Sequence, residues 1–211
     1  MSIFFQQDLN GSTRLGIWKI EEEEDFFLRK VPLQRDITHP HKRLQHLAGR
    51  YLLKYLYPDF PTELIRIADT RKPFLEDEAY HFSISHCGNF AAVLVSKDCR
   101  VGIDIEMTSE KVLRILHKFL HQEEHMLLGR GTGEENFIPT LLWSAKEAMF
   151  KWWGRGEVDF SEMLRLSDMQ TLSGKMQGKF IRGDLRVSFP VYYKTFPGMV
   201  MAWVMTKAIG C

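Results

Sequence analysis

The strongest periodic signal in the chain spans residues 41–57. Leu44, Leu47, Ala48, Tyr51, Leu52, Tyr55 and Leu56 recur at spacings of three and four, the repeat of one helix face. Lys42, Arg43, His46, Arg50 and Lys54 fill the other side, and Pro58 and Pro61 end the pattern. Residues 140–153 form a second amphipathic helix, closed by Gly154 and Gly156. Residues 112–128 also carry the helical period and are read as one helix, broken by the glycines of 129–133. Strands are predicted at 14–20, 64–67, 80–85, 90–96 and 100–106. The acidic run 21–25 suits the opening of a helix, where carboxylates complement the macrodipole. His86-Cys87-Gly88-Asn89 reads as the turn between two strands, and Lys72-Pro73 as another turn. The stretch 164–208 is mostly strand-like: Val187, Phe189, Val191 and Tyr193 alternate, and 199–205 is a last apolar strand.

Each half therefore offers helical material and then several strands. There is no repeat at the level of residues and no low-complexity linker. A soft boundary falls near 101–106, giving an N-terminal lobe of 1–103 and a C-terminal lobe of 104–211. A length of 211 residues fits one large domain or two small ones. Charged residues are 26%, with Lys+Arg 28 against Asp+Glu 27, so there is no basic excess to neutralise a nucleic-acid backbone. Three cysteines, none in a C-x-x-C pair, point to reduced thiols and a cytoplasmic setting. Residues 1–10 lack the layout of a signal peptide, and no apolar run approaches the roughly 20 residues that span a bilayer. No membrane association is expected.

Three constellations carry chemistry. In the strand Val101-Gly102-Ile103-Asp104-Ile105-Glu106, Asp104 and Glu106 share one face and the isoleucines the other. Paired hard oxygens suit Mg²⁺, although two acids on a solvated strand face would read the same. In Trp143-Ser144-Ala145-Lys146-Glu147-Ala148-Met149-Phe150-Lys151, Glu147 and Lys151 are neighbours on a helix. They are a surface ion pair or, beside Trp143 and Phe150, a metal-binding acid with Lys146 and Lys151 as a phosphate-gripping cation pair. In Phe82-Ser83-Ile84-Ser85-His86-Cys87-Gly88, a hydroxyl, an imidazole and turn N–H groups make an anion site, or only a polar hairpin end. No acid adjoins His86, so a Ser-His-Asp hydrolase is poorly supported. His121 and His125 are spaced as in a zinc helix, but with Glu out of position they read as a solvated face. His39-Pro40-His41 reads as a helix-entry turn.

Taken in order, Lys72-Pro73, Phe82-Ser83-Ile84-Ser85-His86, Val101 to Glu106 and Trp143 to Lys151 resemble the signature blocks of 4′-phosphopantetheinyl transferases of the long, Sfp-like class. Residues 119–124 and Pro197-Gly198 also resemble that family, and the likeness is good over 72–160 and loose elsewhere. The resemblance implies an α+β fold of two similar lobes packed as a pseudo-dimer, with coenzyme A between them. It implies Mg²⁺-dependent transfer of phosphopantetheine from coenzyme A to a serine of an apo acyl or peptidyl carrier protein, releasing 3′,5′-ADP. Carried onto this sequence, Asp104, Glu106 and Glu147 would hold the metal, with Glu147 also the general base. Lys151 would balance charge on the transferring phosphate, and His86 would hydrogen-bond a phosphate oxygen. Lys72, Ser83 and Ser85 would face the nucleotide. Lys146 belongs to the matching block, with a less definite contact to the coenzyme. Arg43 or Arg50 would meet the 3′-phosphate. Residues 129–136 are read as a loop near the carrier site, and 112–128, with Lys111, Arg114 and Lys118, as a carrier-docking face. With two lobes in one chain, a monomer is expected. A non-catalytic coenzyme A- or carrier-binding module and a pyrophosphohydrolase are the rival readings.

Overall fold

The computed structural model describes residues 2–129 and 136–207. It is a mixed α+β structure. The chain divides into two compact units: Met1–Val101 with the end of the chain from Lys207, and Gly102–Thr206.

The first unit contains strands β1 (Ile3–Asn10) and β2 (Thr13–Lys19), helices α1 (Glu24–Leu28) and α2 (Pro40–Leu56), the short pair β3 (Arg66–Ile67) and β4 (Pro73–Phe74), and strands β5 (His81–Cys87) and β6 (Phe90–Ser96). Its main sheet has the order β1-β2-β6-β5, antiparallel throughout. Helix α2 packs on it: Leu47, Ala48, Leu52 and Leu56 of the predicted stripe, with Leu53, meet Trp18, Phe82, Val93 and Val95 in one core. Leu44 and Tyr51 are only half-buried and Tyr55 is exposed, while His46 and Arg50 of the predicted polar side are buried. The helix comes close because Gly49 has no side chain; a Cβ there would lie 2.8 Å from Ile84 Cγ2. His39 caps the helix, its ring accepting from the Lys42 N–H, and Pro40 follows in the first turn where no N–H is needed.

Two sequence expectations change here. β1 carried no clear alternation, because as the outer strand of the sheet it leaves most of its residues exposed or half-exposed. β5 runs two residues further than predicted: Cys87 pairs with Phe90, so the turn is only Gly88-Asn89. Gly88 takes a φ of 47°, which a two-residue hairpin turn requires and glycine supplies without strain.

The second unit begins in strand β7 (Cys99–Met107), which bridges the boundary, and continues through the short helices α3 (Leu116–Phe119) and α4 (His125–Leu128), helix α5 (Phe137–Trp153) and strands β8 (Leu164–Gln170), β9 (Lys175–Arg182), β10 (Leu185–Phe196) and β11 (Met199–Lys207). The sheet order is β7-β11-β10-β9-β8. Leu141, Leu142, Ala145, Ala148, Met149 and Trp152 of α5 pack with Leu164, Phe180, Phe189, Val191, Val200 and Ala202 of the strands.

The single helix expected over 112–128 is not formed. The segment is a 3₁₀ turn (Glu110–Ile115), α3, a second 3₁₀ turn (Gln122–Glu124) and α4, with extended backbone at Leu120 and His121. Its period satisfied the helix pattern, but a buried side-chain network around Glu124, described below, bends the chain. The loop expected at 129–136 falls largely on residues 130–135, which lie outside the described residues, as does Cys211. Cys87 and Cys99 are buried free thiols. Among the described residues no helix is long and apolar enough to cross a membrane.

Helix α5 meets β7 at Gly102. A Cβ at that position would sit 2.1 Å from the Ala148 carbonyl oxygen and 2.5 Å from the Trp152 backbone N. Both are backbone atoms, so a methyl group can be accommodated only by moving the helix. Gly102→Ala is therefore expected to cost about 3 kcal/mol or more in chemical denaturation, above the usual overpacking range. Gly129→Ala, which meets nothing within 4 Å, should change stability by less than about 0.5 kcal/mol.

Candidate active site

The close approach at Gly102 aligns β7 and α5. Going along β7, Gly102 faces Ala148 and Trp152, Asp104 binds Lys151, and Glu106 accepts from the indole of Trp143. The strand therefore runs against the helix. The spans match: four strand residues cover about 13 Å, and nine helix residues about the same. Trp143, Glu147 and Lys151 stand at i, i+4 and i+8, one stripe of α5, and face the acid-bearing side of the strand. Ile103 and Ile105 on its other side are fully buried.

Asp104 is itself buried, and its Oδ1 accepts from Lys151 Nζ at 2.6 Å. Glu106 and Glu147 share the field of that aspartate. Burial, and then the Asp104 charge, push the Glu106 carboxyl up to about 7; the Trp143 hydrogen bond and the Lys151 charge oppose this, and Glu147 adds to it. Glu147 is likewise pushed up to about 7, by burial first and Asp104 second, against Lys151. One ammonium is thus set among three carboxyls in a poorly solvated place. The donor set is hard oxygen throughout, which fits Mg²⁺ chemically. The acids are not gathered into a finished ligand cage: among the described residues no group of three or more His, Cys, Asp or Glu is spaced to hold a metal ion.

Lys146 adjoins Glu147 in sequence but points elsewhere. Its side chain is fully buried, and Nζ donates to Glu124 Oε2 at 2.6 Å, Phe119 O at 2.6 Å and Phe160 O at 3.0 Å. All three ammonium hydrogens are used. Burial still lowers the Lys146 pKa to about 8. Glu124 in turn accepts from the backbone N–H of His121 and of Leu166, each at 2.7 Å. This network ties α5 to β8 and to the bent segment 116–128. Sequence assigned neither Glu124 nor Trp143 a role of its own, although both lie in segments that resemble the family. Both had a signal: Lys146 shares the face of Leu142 and Met149, so it needed a buried partner, and Trp143 lies one turn before Glu147.

The first unit holds the remaining candidates. Ser83 and Ser85 are buried along β5, and His86 is exposed. Lys72 is half-buried, and burial with the nearby Arg100 charge lowers its pKa to about 8. Arg43 is occupied by Glu24 Oε1 at 2.7 Å and Ile37 O at 3.1 Å. Arg50 is 4% exposed and bonds His46 Nδ1 at 3.1 Å and Gln34 Oε1 at 3.3 Å. His121 caps the turn before α4, its Nδ1 accepting from Glu123 N.

A strand bearing two acids, crossed by a helix that adds a third acid and a lysine, is the arrangement found within the stretch 100–204, and that same stretch matches the 4′-phosphopantetheinyl transferase superfamily. Residues 100–204 belong to this superfamily. Among curated relatives it is 31% identical over 111 residues to enterobactin synthase component D of Salmonella austin, covering 52% of this chain and 47% of the relative. It is 32% identical over 114 residues to the 4′-phosphopantetheinyl transferase gsp of Aneurinibacillus migulanus, covering 52% and 46%. The figure for the 4′-phosphopantetheinyl transferase psf-1 of Bacillus pumilus is 35% over 118 residues, covering 52% and 50%. The match spans about half the length of these relatives.

Two outcomes follow. Glu106 and Glu147 titrate at about 7 in the fold, against 4.5 for a free carboxyl. Below about pH 4.5 both are protonated in either state and exert no penalty. Between 4.5 and 7 the unfolded chain binds fewer protons, so stability falls as pH rises, and above 7 the full penalty is present. The unfolding midpoint should therefore drop between pH 5 and pH 8, and drop less in Glu147→Gln; identical pH slopes would refute the coupling. Lys146→Met leaves Glu124 buried and uncompensated, and should cost about 3–5 kcal/mol in denaturant titration. The Lys146→Met/Glu124→Leu double variant should lose less than the sum of the two single losses.

Proposed function

We propose that this protein transfers the 4′-phosphopantetheine group of coenzyme A to a serine of an apo acyl or peptidyl carrier protein, releasing 3′,5′-ADP. The observation that carries this reading is the stripe of Glu147 and Lys151 set against Asp104 and Glu106, with two carboxyls held near pKa 7. In the reaction the serine oxygen bonds to the β-phosphorus, the phosphorus–oxygen bond to the nucleotide's 5′-phosphate breaks, and the hydroxyl proton goes to a base. Glu147 is suited to accept it, directly or through a water, because a carboxyl titrating near working pH is a competent general base. Asp104, Glu106 and Glu147 would hold Mg²⁺, which supplies charge neutralisation at the pyrophosphate. Lys151 adds a second positive charge on the same face. His86, exposed at the end of β5, hydrogen-bonds a phosphate oxygen, and Lys72 with Ser83 and Ser85 faces the nucleotide. Lys146 serves to hold α5 in place; its committed hydrogens argue against a contact with the coenzyme. Of the two helix arginines, Arg50 is favoured over the already paired Arg43.

The two units are proposed as the paired lobes of a pseudo-dimer. Each holds an antiparallel sheet region and one 17-residue helix, which supports the idea. We place the enzyme in the cytoplasm as a monomer. Lys111, Arg114 and Lys118, near the exposed Leu113, are the proposed docking face for an acidic carrier.

The test is intact-mass measurement of an apo carrier protein after incubation with the enzyme, coenzyme A and Mg²⁺, beside a chelator control. A metal-dependent gain of one phosphopantetheine is expected. Asp104→Ala and Glu147→Ala should each lower the rate at least about 100-fold. Full activity in both variants would refute the site, and cleavage of coenzyme A without carrier at the same rate would favour a pyrophosphohydrolase.

A further inference from the structure

Lys146 poses a question of purpose. A buried ion pair often stabilises a fold no more than apolar residues of the same volume would. Lys146 is nevertheless fully buried against Glu124, and its other two hydrogens go to backbone carbonyls, Phe119 O and Phe160 O. An apolar side chain could fill the same space, but it could not bind two carbonyls. The ammonium therefore ties together, at one point, two segments that lie 27 and 14 residues from it in the sequence. Neither carbonyl belongs to a sheet ladder: Phe119 ends the short helix α3, and Phe160 lies in a turn before β8.

The two tied residues have a neighbour in common. The ring of Phe119 meets Trp143 edge-on, with centroids 5.1 Å apart and planes at 65°, and the ring of Phe160 stacks on Trp143 at 5.5 Å and 23°. Trp143 is only half-buried and borders a cavity of about 300 Å³ that Phe119 and Phe160 also line. The indole is not enclosed on all sides, so its plane depends on those two rings.

Trp143 in turn donates its Nε1–H to Glu106. An indole nitrogen can only donate, and its one hydrogen points along a single line in the ring plane. The plane of the ring therefore decides where the Glu106 carboxyl is held. That carboxyl ends a flexible side chain near the end of β7, next to the exposed Met107.

We infer that Lys146 is a positioning residue: by holding the backbones of Phe119 and Phe160 it sets the rings that clamp Trp143, and the Trp143 N–H then orients the Glu106 carboxyl. The consequence for metal binding rests on the reading of Glu106 as a ligand, given above; the orientation of Glu106 itself does not.

The test compares three variants. Lys146→Met/Glu124→Leu removes the tie without stranding a charge, Trp143→Phe keeps a ring in the clamp without its N–H, and the triple variant combines them. In NMR spectra of the indole N–H groups, the Trp143 resonance is the one absent from Trp143→Phe. It should shift in Glu106→Gln; a resonance that stays in place there overturns the last link. In the double variant it should shift or broaden while Trp152 and Trp153, further along α5, keep their positions. A Trp143 resonance unmoved in the folded double variant overturns the inference, and so does movement of all three indoles together, which makes Lys146 only an anchor of the helix. With Mn²⁺ alone as the probe, Trp143→Phe should bind about tenfold more weakly, the scale for losing a partner of a metal ligand. The double variant should lose a similar factor, and the triple variant no more than Trp143→Phe alone; losses that multiply overturn the relay. Should the double variant not fold, Phe160→Leu decides, because it removes a clamping ring and leaves the backbone tie. It should weaken Mn²⁺ binding as Trp143→Phe does, and unchanged binding overturns the inference. If wild type binds no Mn²⁺, the metal reading of Glu106 falls, and the indole resonances alone uphold or overturn the positioning.

Discussion

The second unit depends on one steric fact, the contact of two backbones at Gly102. Helices usually stand about 10 Å from a sheet because side chains intervene. Here one residue of β7 has none, and the carbonyl of Ala148 and the nitrogen of Trp152 take the space a side chain would need. That approach sets the distance from which Lys151 reaches Asp104 and Trp143 reaches Glu106. The acids are raised in pKa for the same reason, since a helix lying this close excludes water from the strand face.

The first unit also places a glycine where helix meets strand, but there a side chain rather than backbone fills the space. There the glycine is on the helix, at Gly49, and the strand contributes Ile84. The two helices then present opposite chemistry. α5 offers Glu147 and Lys151 toward a pair of strand acids, while α2 turns His46 and Arg50 inward with no acid paired to them among the described residues. One site is short of positive charge and the other of negative charge.

Much of this was legible in the sequence. The helices over 41–57 and 140–153 carried their buried faces openly, and the alternation of Asp104 and Glu106 is a property of any strand. The resemblance to the transferases supplied the pairing of that strand with the Trp143–Lys151 helix, which spacing alone could not. Where the reading failed, long-range contacts decided the outcome. Residues 112–128 have a helical period, yet Glu124 must reach Lys146 and the Leu166 N–H, and a continuous helix does not satisfy all three groups. β1 was hidden because an outer strand need not alternate. Lys146 looked like part of a phosphate grip because sequence adjacency to Glu147 conceals a rotation of 100° around the helix.

The pair formed by Lys146 and Glu124 also constrains how this sequence can drift. Either residue changed alone strands a charge in the core, so any route to an apolar pair passes through a poorly folded ancestor or through two simultaneous changes. The neighbouring Glu147 is bound to the same helix and inherits that restriction. A candidate site acid is in this way held in register by an ion pair whose two charges are spent on each other, and exchange of that pair for apolar residues must change both positions together.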